Sequence, residues 1–159
     1  MSDRIPMTRV GYDKLKADLE QLHAVELPKI LERLANARAE GDLTENAEYL
    51  GAQESRGMME ARINLLRDKL SRAVLIDPSQ FPKDQVAFGA TVRVKDLNFG
   101  DEEEFTLVGA GEEDYDTGKI LITSPLAQGL VGKKVGQQVE IAVPQGTLKF
   151  EILEIRCQG

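Results

Sequence analysis

Gly41-Asp42-Leu43-Thr44-Glu45-Asn46-Ala47-Glu48-Tyr49 is the one break between two long helical patterns, and its reading decides the fold. Before it, from Thr8 to about Glu40, Leu15, Leu19 and Leu22 and then Leu27, Ile30, Leu34 and Ala37 recur at steps of three and four, as a helix-packing stripe requires. After it, from about Leu43 to Val74, the stripe continues through Ala52, Met59, Ile63, Leu66, Leu70 and Ala73. Each pattern covers roughly 30 residues, or about 45 Å of helix at ~1.5 Å per residue. So short a connection makes the helices antiparallel. Stripes this narrow predict a two-stranded coiled-coil hairpin and not a globular bundle.

Thr8 is placed to cap the first helix, and Gly41 suits the left-handed exit from it. Between Leu22 and Leu27 the stripe slips out of register beside Pro28. A kink or local irregularity is expected there, because proline removes a helix hydrogen bond. Near the break the apolar residues shrink to Ala35, Ala37, Ala47, Gly51 and Ala52, which predicts a close approach of the helices and a slender tip.

Asp77-Pro78-Ser79-Gln80-Phe81-Pro82 cannot continue a helix and reads as a linker. Beyond it the period becomes two: Val92 and Val94, Phe105 and Leu107, Ile120 and Ile122, Val139 to Val143, Leu148 to Ile152. Pro144-Gln145-Gly146 makes a tight turn between the last two strands. Ser124-Pro125 followed by an apolar run and Gly132 reads as one short helix with a cap, a first-turn proline and a glycine exit. The fold class is therefore α+β. Residues 1–76 form the hairpin with its acidic tip at 41–49, residues 77–82 link, and residues 83–159 form a small antiparallel sheet with one short helix.

Composition narrows the function. With no Trp and 5% aromatics the chain lacks the rings of a stacking platform for single-stranded nucleic acid. Cys157 and His23 are each alone, so neither an internal disulfide nor a Cys-based zinc site is available; both are read as structural. No apolar run approaches the ~20 residues that span a bilayer, and the polar start leads into no signal-type segment. A cytoplasmic monomer with no membrane partner is expected. Residues 1–75 hold 12 basic and 13 acidic side chains, while residues 76–159 hold 8 and 14, so the net charge of −7 sits almost entirely in the second half. Such a half is repelled by phosphate backbones, and no autonomous DNA binding is expected. A basic protein surface or a cation suits it better.

At the tip, Asp42, Glu45 and Glu48 follow at three-residue steps. Asp42 and Glu45 have the spacing of a capping box, which needs no function at all. The same carboxylates are ligands that magnesium prefers, and magnesium takes only one or two from a protein. A protruding pair is too open to hold a metal alone but can complete a site supplied by another macromolecule. Capping and chelation are compatible, since a carboxylate has two oxygens.

The residues quoted from Gly41 to Tyr49, with Val86-Ala87-Phe88-Gly89-Ala90-Thr91-Val92 and Ser124-Pro125-Leu126-Ala127-Gln128-Gly129-Leu130-Val131-Gly132-Lys133, closely resemble the bacterial Gre transcript cleavage factors, the GreA type more than GreB. The resemblance covers nearly the whole chain. It implies a second domain similar to FKBP prolyl isomerases that docks on RNA polymerase, and a hairpin that enters the polymerase secondary channel. It implies that Asp42 and Glu45 are catalytic by donation, sharing a magnesium ion with the polymerase active site and binding none stably alone. The polymerase then cleaves the 3′ end of backtracked RNA, so the factor is an accessory protein and not itself an enzyme.

The resemblance also implies weaker assignments. Arg38 and Arg56 are candidate RNA phosphate contacts, Gln53 stands where the family is often basic, and Thr44 replaces a common lysine. Asn46, Glu48 and Tyr49 are candidate supports of the tip. Ser124, Pro125, Leu126 and Gly129 are candidate polymerase contacts. The runs Asp101-Glu102-Glu103-Glu104 and Glu112-Glu113-Asp114 read as solvated loops. Two rivals remain open: a channel-binding inhibitor of the same architecture without cleavage activity, and a prolyl isomerase or chaperone. Against the latter, the second half has only Phe81, Phe88, Phe99, Phe105, Tyr115 and Phe150 with which to line a pocket.

Overall fold

The computed structural model describes residues 4–41 and 46–157. The chain divides into two compact units, one holding residues 13–73 and the other residues 4–12 together with 74 onward. The division therefore falls inside the first helix, between Tyr12 and Asp13, and again between Ala73 and Val74. The reason is local: Ile5–Met7 forms a short strand (β1) that pairs with Ala73–Leu75 (β2). The Ile76 N–H donates to the Met7 carbonyl at 2.8 Å, and Met7 is fully buried.

The first unit is the helical hairpin. Its first arm is α1 (Arg9–Gln21), a five-residue π-helical stretch Leu22–Glu26, and α2 (Leu27–Ala39); its second arm is α3 (Ala47–Ser71). Thr8 caps α1 as its position predicts, its hydroxyl accepting from Gly11 N–H at 3.1 Å. The expected irregularity is the π stretch. The Leu27 N–H reaches back five residues to the Leu22 carbonyl, so a five-residue step returns to the same face. Leu22 and Leu27 are both half-buried, and the apolar stripe survives the slip. Pro28 follows the π stretch directly, in the first turn of α2.

The hairpin core is Leu15, Ile30, Leu34 and Ala37 on one arm and Ala52 and Ile63 on the other, all buried, with Leu19, Met59, Leu66 and Leu70 half-buried beside them. The small-residue expectation holds for Ala37 and Ala52, which are 3% and 0% exposed. It fails for Ala35 and Ala47, which face solvent, and for Gly51, where an added Cβ meets nothing within 4 Å. Among the described residues no helix is long and apolar enough to cross a membrane.

The second unit carries a five-stranded sheet in the order β5-β4-β3-β7-β6. Its strands are β3 (Ala90–Asp96), β4 (Glu102–Val108), β5 (Lys119–Leu121), β6 (Gln138–Val143) and β7 (Gly146–Cys157). The sheet is mixed and not wholly antiparallel. β4 and β5 run parallel, with Leu107 opposite Ile120, because residues 109–118 cross back before β5 begins. β6 and β7 form the expected hairpin, Val143 facing Gly146 across Pro144-Gln145. Alternate residues enter one core: Val92, Val94, Leu107, Ile120, Val139, Ile141, Phe150 and Ile152, joined by Ala127 and Leu130 of α4 (Pro125–Leu130). Ser124 caps α4, its hydroxyl accepting from Ala127 N–H at 3.2 Å, and Gly132 exits with φ of 86°.

Candidate functional site

The hairpin tip is built from the ends of α2 and α3. Glu40 N–H donates to the Ala37 carbonyl at 3.2 Å and Gly41 N–H to that of Arg38 at 3.4 Å. Gly41 then turns with φ of 118°, a conformation a side chain strains to adopt. Asp42 and Glu45 lie outside the described residues. α3 begins at Ala47, not near Leu43, and its N-cap is Asn46 in an extended conformation. The Asn46 Oδ1 accepts from Tyr49 N–H at 3.1 Å, satisfying one of the free donors at the helix start.

Asn46 does more than cap. Its Nδ2 donates at 2.8 Å to the Ala37 carbonyl on the opposite arm. Glu48 lies exposed in the first turn of α3, where the helix dipole favours an acid. Tyr49 is half-buried. The Arg38 guanidinium stands over its ring at 5.8 Å from the centroid, and Gln53 Nε2 donates to its hydroxyl at 3.0 Å. Arg56 is engaged differently: its Nε binds Glu60 at 2.9 Å, one turn further along α3. The tip thus brings Arg38, Asn46 and Tyr49 together and leaves Arg56 with an acid of its own helix.

Among the described residues no group of three or more His, Cys, Asp or Glu side chains is placed to hold a metal ion. The carboxylates that sequence assigns to magnesium are Asp42 and Glu45, and their oxygens suit a hard cation.

In the second unit, the four candidate docking residues have plain structural tasks. Ser124 is the cap of α4, exposed Pro125 fills its first turn, and half-buried Leu126 packs against the core. At Gly129 an added Cβ would lie 2.6 Å from Ile141 Cγ1, so the glycine permits α4 to seat on β6. What remains exposed on this side includes Gln128, Val131 and Val135.

The acidic runs differ from expectation. Glu102, Glu103 and Glu104 are in β4, not in a loop. Glu102 and Glu104 join a cross-strand charge ladder in which Arg93 binds Glu102 at 2.6 Å and Arg156 binds Glu104 at 2.5 Å. The hydrogen bond to Glu102 is the main cause that holds the Arg93 pKa above its ordinary value; burial opposes it, and the charges of Glu102 and Glu154 add to it. Glu112 accepts from the Thr8 hydroxyl, Glu113 from Gly111 N–H at 2.7 Å, and Asp114 caps the short 3₁₀ turn Tyr115–Thr117. The aromatic side chains line no common pocket: Phe105 packs edge-on against Phe150, Phe81 meets Phe88, and Phe99 is 81% exposed.

Sequence reading missed the two jobs of Asn46. The signal was present in part, since asparagine is a strong N-cap, but its partner across the hairpin is a backbone carbonyl, which no side-chain pattern reveals.

Comparison with known proteins places this geometry in context. The family model described as transcription elongation factor, N-terminal, matches residues 5–75, and that described as transcription elongation factor, GreA/GreB, C-term, matches residues 81–157. Transcription elongation factor GreA of Thermodesulfovibrio yellowstonii is 52% identical over 155 residues, covering 98% of each chain. That of Prosthecochloris aestuarii is 46% identical over 157 residues, again covering 98% of each. Among solved structures, GreA factor homolog 1 of Thermus thermophilus aligns with a TM-score of 0.45 at 25% identity, covering 96% of this chain and 99% of that one.

Proposed function

The chain belongs to the GreA/GreB family of transcription elongation factors, and from that premise we propose that it stimulates cleavage of the 3′ end of backtracked RNA by bacterial RNA polymerase. In this reading the hairpin enters the secondary channel and the second unit docks at its mouth. Asp42 and Glu45 are donated to the polymerase active site, and the factor is not an enzyme by itself. The observation that carries the proposal is the acid pair lying between α2 and α3 in sequence, in a chain matched by both family models in order.

Each residue then has a chemical task. Asp42 and Glu45 supply carboxylate oxygens to a magnesium ion shared with the polymerase. When bound there, that ion lowers the pKa of a water and positions it for attack. Asn46 and Gly41 define where the acid-bearing segment leaves and re-enters helix. Arg38, held over Tyr49, offers a guanidinium to the RNA backbone. Arg56 is already paired with Glu60, so Arg38 is the stronger of the two candidate contacts. The charge of the second unit makes a basic protein surface its natural partner and repels DNA.

The test is transcript cleavage in purified, backtracked elongation complexes, comparing the wild type with Asp42→Asn and Glu45→Gln after confirming that all three fold and bind polymerase. Release of short 3′ fragments by the wild type alone supports the proposal. Binding without stimulated cleavage by the wild type selects the inhibitor reading. Mutants that cleave as well as the wild type reduce the acids to bystanders.

A further inference from the structure

We infer that Asn46 is a positioning residue for the acidic tip, acting through its hydrogen bond across the hairpin and not merely as a helix cap. An N-cap needs only an acceptor, and Asp, Ser or Thr supply one equally well. Asn46 uses both ends of its amide. Oδ1 takes the Tyr49 N–H at 3.1 Å, and Nδ2 gives its proton to the Ala37 carbonyl at 2.8 Å. Ala37 belongs to the last turn of α2, where its carbonyl takes the Glu40 N–H at 3.2 Å in a tightened turn while the Gly41 N–H bonds Arg38, so the Asn46 amide is a second donor to that oxygen. Ala37 is also buried, as is Ala52 on the facing arm, so the bond lies at a level where the arms still have a core.

The consequence follows from connectivity. The bond joins residues nine apart and closes a stretch of chain whose middle contains Asp42 and Glu45. One end of that stretch is fixed by the buried Ala37, the other by the first turn of α3. Without the cross-hairpin bond, α3 can still begin at Ala47, but its start is no longer tied to α2. The re-entry point of the acid-bearing segment then moves relative to the rod. For groups that must meet reacting atoms inside another protein, a misplacement of ~1 Å costs as much as about 100-fold in rate. This inference rests on the cleavage-factor reading of the acids.

The discriminating variants are Asn46→Asp and Asn46→Ser, which keep a cap acceptor and remove the amide donor; the serine variant adds no charge. The first readout needs no polymerase. In the free wild-type protein the Asn46 side-chain amide should exchange with solvent about tenfold more slowly than that of the exposed Asn64, because a bonded donor is protected. In arrested elongation complexes, both variants should keep the wild-type half-saturating concentration. Both should lose roughly tenfold or more of the cleavage rate at saturation, as misplaced catalytic groups do. An unprotected Asn46 amide overturns the inference, as does a serine variant that cleaves at the wild-type maximal rate. So does a variant with a raised half-saturating concentration and an unchanged maximum, since that describes weakened docking. A wild type that stimulates no cleavage removes the functional reading and the positioning role with it; the amide exchange shows separately whether the bond exists.

Discussion

Gly129→Ala in α4 tests whether the candidate docking segment is constrained by packing. An added Cβ lies 2.6, 2.9 and 3.0 Å from Cγ1, Cδ1 and Cγ2 of Ile141. Ile141 is 4% exposed in the core of the second unit, so it cannot swing into solvent. Overpacking of this kind costs about 1–3 kcal/mol. Against it stands the helix preference for alanine, at most about 1 kcal/mol. The net expectation is a loss of roughly 0–2 kcal/mol, too broad to decide anything alone.

The double variant sharpens it. Ile141→Ala by itself should cost about 2–5 kcal/mol, but it removes every atom that the new methyl group would strike. In that background Gly129→Ala should become stabilising, by up to ~1 kcal/mol, and the coupling between the two sites should reach about 1–3 kcal/mol. Urea titration followed through the amide signals of β7 reports this unit alone. Equal effects of Gly129→Ala in both backgrounds, within ~0.5 kcal/mol, would refute the packing argument. Polymerase affinity of the single variant at a temperature where it is folded should match the wild type. A loss of affinity there would make Gly129 a contact in its own right.

Further outcomes are expected elsewhere. Ser124→Ala removes the α4 cap and should cost about 1 kcal/mol in urea unfolding of the second unit. The Asp77 carboxylate accepts from the Ser79 hydroxyl at 2.7 Å and its N–H at 2.9 Å, and these bonds, the hydroxyl first, hold its pKa below the ordinary 3.8. Its stabilising contribution is thus present above pH 3.8 and lost as pH falls through the depressed value; Ser79→Ala should move the Asp77 carbon-13 titration midpoint back up. Deleting Ala24 together with Pro28→Ala should convert the π stretch to α-helix without loss of hairpin stability, read by circular dichroism during melting. A marked drop would mean that the irregularity has a packing role of its own.

Much of the fold was legible because burial on a helix or strand must repeat with its period. The stripes from Leu15 to Ala37 and from Ala52 to Leu70 are the packed faces of the hairpin, and the α4 signature of cap, proline and glycine is realised residue for residue. Misreadings arose where side-chain chemistry and backbone pairing diverge. Glu102-Glu103-Glu104 looks like a loop, since acids are poor strand formers. Antiparallel pairing with β3 supplies Arg93 opposite Glu104 and diagonal to Glu102, which it binds, while Arg156 of β7 binds Glu104. The parallel pairing of β5 escaped because a three-residue strand carries no direction in its pattern. The pairing of β1 with β2 escaped because it joins segments far apart in the chain, Ile5–Met7 and Ala73–Leu75.

The candidate site was marked in sequence by its chemistry, not by its mechanics. Three acids in and beside the break between the helical patterns suggested a cation ligand set, and that suggestion came from residue type alone. How the tip is held depends on which residue starts α3, and the sequence spacing pointed to Asp42 as that cap. With Asn46 as its N-cap, α3 runs from Ala47. Asp42 and Glu45 then precede the cap in sequence, and neither is the residue on which α3 starts. The side chain that starts α3 is thus Asn46, and its second hydrogen bond, to Ala37, ties the start of that helix to the opposite arm.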